Sequence, residues 1–270
     1  MEPDQQTVPE SDRSFLYGHG VFETMLCLQG RITLRRYHLD RLRVGAERLS
    51  ITIGEGELQD ALKPVAQLTG AHIVRLHLSS GSGPRGYATQ DCGPSRFSVQ
   101  TFPLAHDPLA VAPAARVCRS RTPIALQPAL AGIKHCNRLE QVLAASEARE
   151  RGFDEALMCS QADEVHCATA ANVFVLQGAL LRTPDCGAAG VAGTRRRLIL
   201  EELAERAGLR VEVGRVTAAD CRRADALLLT SAGVGIRHVS EFEGHRFEPR
   251  DAVSRLQAAY IEELRACLDA

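Results

Sequence analysis

A chain of 270 residues, 45% hydrophobic and 24% charged, is long enough for one large domain or two modest ones with ordinary globular cores. Its formal net charge is −1 and its arginines are interleaved with Asp and Glu, which argues for solvated faces and against a nucleic-acid-binding surface. No run approaches the roughly 20 apolar residues that cross a bilayer and no charged-then-apolar start marks a signal peptide, so no membrane contact is expected and the expected location is the cytoplasm. The nine cysteines are scattered, without a C-x-x-C pair or a His cluster at ligand spacing. They are expected to be reduced thiols filling small spaces, with no metal site.

The first ten or so residues are polar and are expected to fray. Val21–Leu28 and Arg31–Leu34 flank Gln29-Gly30 as a hairpin. Leu39, Leu42, Ala46 and Leu49 then recur at helical spacing. His72–Ser79 alternates through Val74, Leu76 and Leu78, which predicts a half-buried strand, and Phe97, Val99 and Thr101 predict another after the loop Gly81–Tyr87. The Pro- and Ala-rich stretch from Pro103 to Pro113 is the best linker candidate. Ala114–Arg119 reads as a strand, Asn137–Arg151 as a helix ended by Gly152, and Ala156–Cys159, Asn172–Leu176 and Leu180–Arg182 as short strands. Thr194–Ala207 predicts a helix closed by Gly208, Ala226–Thr230 a buried strand, and Asp251–Leu268 an amphipathic helix. The expectation is an α/β chain in two parts: a small N-terminal domain over 1–106, a linker over 107–114, and a larger C-terminal domain over 115–270.

Three glycine-bearing turns carry chemical interest. Tyr17-Gly18-His19-Gly20 precedes a strand, Gly190-Val191-Ala192-Gly193-Thr194 opens a helix, and Ser231-Ala232-Gly233-Val234-Gly235 follows a strand. A glycine turn entering a helix exposes backbone N–H groups beside the positive end of the helix dipole, where a phosphate binds readily. Most such turns are ordinary helix starts, so the signal is weak alone. Lys134 stands in Leu130-Ala131-Gly132-Ile133-Lys134-His135, and the only other lysine is Lys63. Desolvation among apolar neighbours would free its amine as a base or nucleophile, although a lysine that snorkels to the surface is the commoner state.

The segment Ile133-Lys134-His135-Cys136-Asn137-Arg138-Leu139-Glu140-Gln141-Val142-Leu143 resembles the lysine segment of bacterial aminodeoxychorismate lyases, which belong with the class IV aminotransferases among the fold-type IV pyridoxal-phosphate (PLP) enzymes. In order, Asp12-Arg13 with Tyr17–Thr24, His38-Leu39-Asp40-Arg41-Leu42, Gly81–Tyr87, Ala170–Phe174, Thr183-Pro184 and Ala189–Gly193 agree with the same family. The resemblance spans about residues 12–240. It implies a two-domain fold-type IV structure, PLP as cofactor, a homodimer, and elimination of pyruvate from 4-amino-4-deoxychorismate to give 4-aminobenzoate for folate synthesis. It makes Lys134 the Schiff-base lysine and base, Arg41 a phosphate ligand, and the turn Gly193-Thr194-Arg195 with Ser231 the rest of the phosphate cup. Arg85 and Tyr87 would line the substrate side.

Two positions depart from the family pattern. Cys167 stands where the family places a Glu that keeps the cofactor's ring nitrogen protonated, and His19 stands where relatives commonly have Asp. A thiol, with a reference pKa near ~8.5, donates weakly where a carboxylate would stabilise a pyridinium. A neutral ring is a poorer electron sink, which disfavours transamination more than an elimination driven by aromatisation. An aminotransferase acting on a small amino acid, and a weakly active or silent homologue, remain the alternatives.

Overall fold

The fold is described from a computed structural model covering residues 7–269; residues 1–6, most of the polar start expected to fray, lie outside the described residues. After a short helix α1 (Arg13–Tyr17), a four-stranded antiparallel sheet forms from β1 (Gly20–Leu28), β2 (Arg31–Ile32), β3 (Ala71–Ser79) and β4 (Arg96–Pro103), in the order β2-β1-β3-β4. The expected hairpin turn is present: Gln29 and Gly30 both adopt positive φ, 49° and 79°, the twist that a two-residue hairpin loop requires. Strand β1 pairs with β3 along its whole length, from Gly20↔Ser79 to Leu28↔Ala71. That register sends Val21, Met25 and Cys27 to one face with Val74, Leu76 and Leu78, against helices α2 (Arg35–Arg48) and α3 (Glu55–Leu62). One residue on that apolar face is not apolar: Glu23, with no exposed surface. The alternate residues point the other way, Phe22 and Thr24 into a cavity and Leu26 and Leu28 into a second core.

The second sheet has nine strands. Its path is β10 (Arg210–Gly214), β9 (Leu180–Pro184), β8 (Asn172–Gln177), β11 (Ala226–Ser231), β12 (Gly235–Phe242), β5 (Ala115–Arg119), β6 (Glu155–Cys159) and β7 (Val165–Ala168), with β13 (His245–Arg246) on β12. It is mixed: β9–β10, β12–β5 and β5–β6 are parallel pairs and the others antiparallel. The sheet curls until β7 packs near β8 and β9, and Val117, Leu157, Val173 and Phe242 fill the inside of the curl. Helix α4 (Leu139–Glu150) packs on β6, α7 (Ala218–Arg222) follows β10, and α8 (Asp251–Asp269) lies along β12. The helix expected over Thr194–Ala207 begins as α5 (Thr194–Leu198), widens into a π turn at Ile199–Leu203 and ends as α6 (Ala204–Arg206), with Gly208 at φ 72° closing it.

The connection 104–114 carries neither helix nor strand, yet it is not a free tether, because Leu104 and Leu109 pack on the core between the sheets. That core joins Leu26, Leu28 and Tyr37 of the first part to Phe174, Leu228 and Leu256 of the second. This is the architecture of the fold-type IV PLP enzymes, a small N-terminal sheet against a curled mixed sheet. Leu26, 1% exposed, is an element of both parts' packing. Leu26→Ala is expected to cost about 2–5 kcal/mol and to lower the denaturation midpoint in one cooperative transition, followed by circular dichroism.

Candidate active site

Between the sheets lies a cavity of about 510 Å³. Its floor comes from Phe22 and Thr24 of β1, one wall from Lys134 and Arg138 ahead of α4, another from Cys167–Asn172, and its closed end from Gly193–Arg195 and Thr230–Gly233. Among the described residues no aspartate or glutamate lines it, whereas Lys134 and three arginines, 41, 138 and 195, do.

Lys134 follows Gly132, whose φ of 80° turns the chain so that Lys134 O can accept from Phe22 N at 2.9 Å and the side chain enters the cavity. Its Nζ lies 4.4 Å from the centre of the Phe22 ring, whose other ionic neighbour is the Arg75 guanidinium at 4.8 Å. Burial among these groups, reinforced by the positive charge of Arg41, pulls the amine down to about 7. A substantial fraction is therefore neutral at physiological pH, as a nucleophile or base must be.

Arg41, on α2, is held by Glu23: its Nε and Nη2 donate to the two carboxylate oxygens at 2.8 and 2.6 Å. Its Nη1 reaches across to Ala192 O at 3.0 Å, in the turn that opens α5. That turn is tightly built. Asn172 Nδ2 donates to Val191 O at 2.7 Å, and a Cβ on Gly193 would fall 1.9 Å from Asn172 Oδ1, so any larger residue there would displace the Asn172 amide. Gly193 caps α5 without a side-chain hydrogen bond, leaving the first-turn N–H groups of Thr194 and Arg195 at the cavity's closed end without intrahelical acceptors. Arg195's side chain turns away, 1% exposed, to bond His38, Thr33, Thr194 and Tyr260. Ser231 lines the same end, and the neighbouring Thr230 hydroxyl is buried with no partner, a donor still to be satisfied.

Cys167, on β7, is 6% exposed at the opposite side, where Gly190 packs against it. Burial pushes its thiol up to about 12 even though Arg138 pulls it down, so it is protonated at neutral pH. Arg138 donates to His135 O at 2.9 Å and Ile133 O at 3.3 Å, which keeps its guanidinium beside this end of the cavity. The loop between Cys167 and Asn172 is shaped by Glu155, whose carboxylate accepts from Thr169 N at 3.0 Å, Ala170 N at 3.3 Å and the Thr169 hydroxyl.

Seven of the expected site residues, Lys134, Arg41, Cys167, Gly193, Thr194, Arg195 and Ser231, thus meet around one cavity. Arg85 and Tyr87 do not join them. Buried Arg13 donates to Gly86 O at 3.0 Å and Tyr87 O at 2.8 Å, and the Tyr87 ring rests edge-on against Tyr17, 84% exposed. These contacts hold the loop where neither Arg85 nor Tyr87 is among the residues lining this cavity. His19 is a brace: its Nε2 meets Leu49 O at 2.9 Å while Nδ1 meets Ser80 Oγ at 2.9 Å and Arg13 Nε at 3.3 Å. The residues that pattern alone did not single out are Glu23, His38, Arg138, Asn172 and Thr230. A glutamate in the apolar alternation of β1 was the available signal, since a buried carboxylate must be paired.

The amino-transferase class IV family model matches residues 20–242. The chain belongs to the class IV aminotransferase family. Among its relatives, the aminodeoxychorismate lyase of Vibrio harveyi is 34% identical over 243 residues, 87% of this chain and 88% of that one. A putative branched-chain-amino-acid aminotransferase of Methanocaldococcus jannaschii is 29% identical, covering 86% and 82%. Among solved structures, the 4-amino-4-deoxychorismate lyase of Pseudomonas aeruginosa superposes with a TM-score of 0.86 at 32% identity, over 98% of this chain and 97% of that one.

Class IV aminotransferases are PLP-dependent, and the cavity can be tested against that group. The closed end fits a phosphate, with Arg41, the first turn of α5 and two hydroxyls, one of them unpaired. Lys134 fits an aldehyde. Cys167 contributes a neutral thiol to the lining. Because the amine of Lys134 titrates near 7, its labelling by a trinitrophenyl reagent is expected to rise between about pH 6 and 8 and then level off, followed by mass spectrometry of the Lys134 peptide. A rise confined to pH above 9 would contradict the buried, cation-flanked setting.

Proposed function

We propose that this class IV PLP enzyme is a lyase that eliminates pyruvate from 4-amino-4-deoxychorismate and leaves 4-aminobenzoate. The observation that carries the proposal is a cavity in which a half-neutral lysine meets the guanidinium groups of Arg41 and Arg138 and, among the described residues, no lining carboxylate. A dicarboxylate substrate suits such a lining, and a base is already available there. Arg75, stacked on Phe22, adds a further cation near the base. The lyases of Vibrio harveyi and Pseudomonas aeruginosa, at 34% and 32% identity, support the same assignment.

The chemistry asks little of the chain beyond binding and one proton. PLP, when bound, supplies the electron-withdrawing conjugation to the carbon that carries the substrate's amine. Arg41 and the first turn of α5 would hold its phosphate, while Arg138 lies beside Cys167. Lys134, as the base, would take the proton from the substrate's amine-bearing carbon. The ring becomes aromatic as the enolpyruvyl C–O bond breaks, and the departing enolate gains a proton to become pyruvate. Cation–π contact with Phe22 steadies the ammonium that Lys134 has become. Cys167, a neutral thiol, would leave a bound ring without the counter-charge a carboxylate supplies. This disfavours accumulating negative charge in the ring, as transamination requires, more than expelling it with a leaving group.

A homodimer belongs to the same proposal. Leu139, Val142 and Leu143 on α4 are 78%, 56% and 57% exposed, with Val142 also lining the cavity, an apolar strip that a second copy would cover.

Lys134→Ala is expected to lower pyruvate release by about 10²–10⁴-fold, read in a coupled dehydrogenase assay; a variant with full turnover would sink the proposal. Cys167→Glu is expected to raise the conversion of bound cofactor to its amine form by amino donors, relative to pyruvate release. If the wild-type chain already transaminates faster than it releases pyruvate, the aminotransferase reading wins.

A further inference from the structure

Behind the cavity runs a chain of buried polar groups. Glu23, with no exposed surface, accepts from Arg41 through both oxygens, and its Oε2 also lies 2.6 Å from His38 Nδ1. His38, equally buried, has its other nitrogen, Nε2, 2.7 Å from Arg195 Nη1. Arg195 continues to Thr33 Oγ1 at 2.9 Å and to Thr194 Oγ1 at 3.2 Å. Thr33 Oγ1 is itself fixed, donating to Leu26 O at 3.1 Å.

The proton order along this chain has one solution. A guanidinium only donates, so His38 Nε2 must accept from Arg195. The ring proton then sits on Nδ1 and is donated to Glu23. Burial holds the imidazole down at about 4, which keeps it neutral, and the carboxylate at about 2, because Arg41 and His38 together outweigh the burial that pushes it up. The assembly of Glu23, His38, Arg41 and Arg195 therefore carries one negative and two positive charges, a net +1 behind the cavity's closed end.

We infer that Glu23 and His38 are positioning residues for an anion: a single buried carboxylate orients Arg41 directly and, through the His38 tautomer, fixes Arg195 and the first turn of α5. Neither residue lines the cavity. Their effect reaches a ligand through Arg41 on one side and the Thr194 turn on the other. The inference rests on the phosphate-binding half of the function proposed above and not on the lyase reaction.

Glu23→Gln tests it because the amide keeps the shape and breaks the order. Its NH₂ must face either the donors of Arg41 or the Nδ1–H of His38. If His38 yields by moving its proton to Nε2, it meets the donor of Arg195 instead. Affinity is measured on the full chain, stripped of endogenous aldehyde, with two probes: pyridoxal 5′-phosphate and pyridoxal, which lacks the phosphate. Glu23→Gln is expected to weaken the phosphorylated probe by at least about tenfold and to leave pyridoxal within about twofold. Equal weakening of both, or of neither, would overturn the inference, the first because it marks general damage to the cavity. A second measurement needs no variant. The ¹⁵N shifts of His38 in the wild-type chain at pH 7 are expected to report a neutral ring protonated at Nδ1. An Nε2–H ring or an imidazolium would overturn it as well. Neither readout involves pyruvate release, so failure of the lyase reading leaves this test able to decide.

Discussion

Glu23 occupies a position on β1 where the alternation of the strand calls for an apolar side chain, and the consequences of that placement run through the active site. An unpaired carboxylate without solvent would cost several kcal/mol, so the fold must bring cations to it. Helix α2 does so with Arg41, whose forked guanidinium meets both oxygens, and adds a neutral donor, His38, one turn earlier. Because those partners sit at i and i+3 on one helix face, satisfying Glu23 fixes how α2 lies on the first sheet. It also fixes which face of α2 meets the turn of the second sheet. The site is thus held by electrostatic necessity from behind, and its ligand-facing side is left free of acids.

That acid-free lining sets the chemistry. Buried, with Arg41, Arg138 and Arg75 nearby, Lys134 cannot keep its proton as a solvated lysine does. The same field favours anionic ligands over cationic ones. Cys167 belongs to the same pattern. A glutamate there would face Arg138 and reduce the positive charge at that end; the thiol leaves it intact. The departure at residue 167 is therefore a change in the field of the whole cavity as well as the loss of one hydrogen bond.

The sequence made much of this legible, because periodicity and turn chemistry are local. The β1–β2 hairpin, α2, β3, β4, α8 and the glycine closing α6 stood out on alternation, spacing or φ > 0 chemistry. Strands β7, β10 and β12 did not. The first is four residues long, the second is exposed on nearly every residue, and the third interrupts its apolar run with Arg237, His238 and Glu241. Their pairing is decided by the sheet around them. At the site, the residues to which a motif attaches a role were legible, whereas Glu23 and His38 lay within matching stretches with no role attached to them. Their roles arise from distances across 15 residues and between two sheets, and no short pattern encodes those. Arg85 and Tyr87 show the converse: a motif fixed their loop's identity, but Arg13 decides where the loop goes.

The bond from Arg41 to Ala192 and the link from His38 to Arg195 cross between the two parts of the chain. A phosphate seated against Arg41 and the Thr194 turn would therefore touch both parts at once and act as a rivet between them. Its binding energy would add directly to the work of prising the sheets apart, so the loaded chain should resist heat and proteases in proportion to occupancy. Cofactor supply in the cell would then govern how long the protein lasts as well as how fast it works.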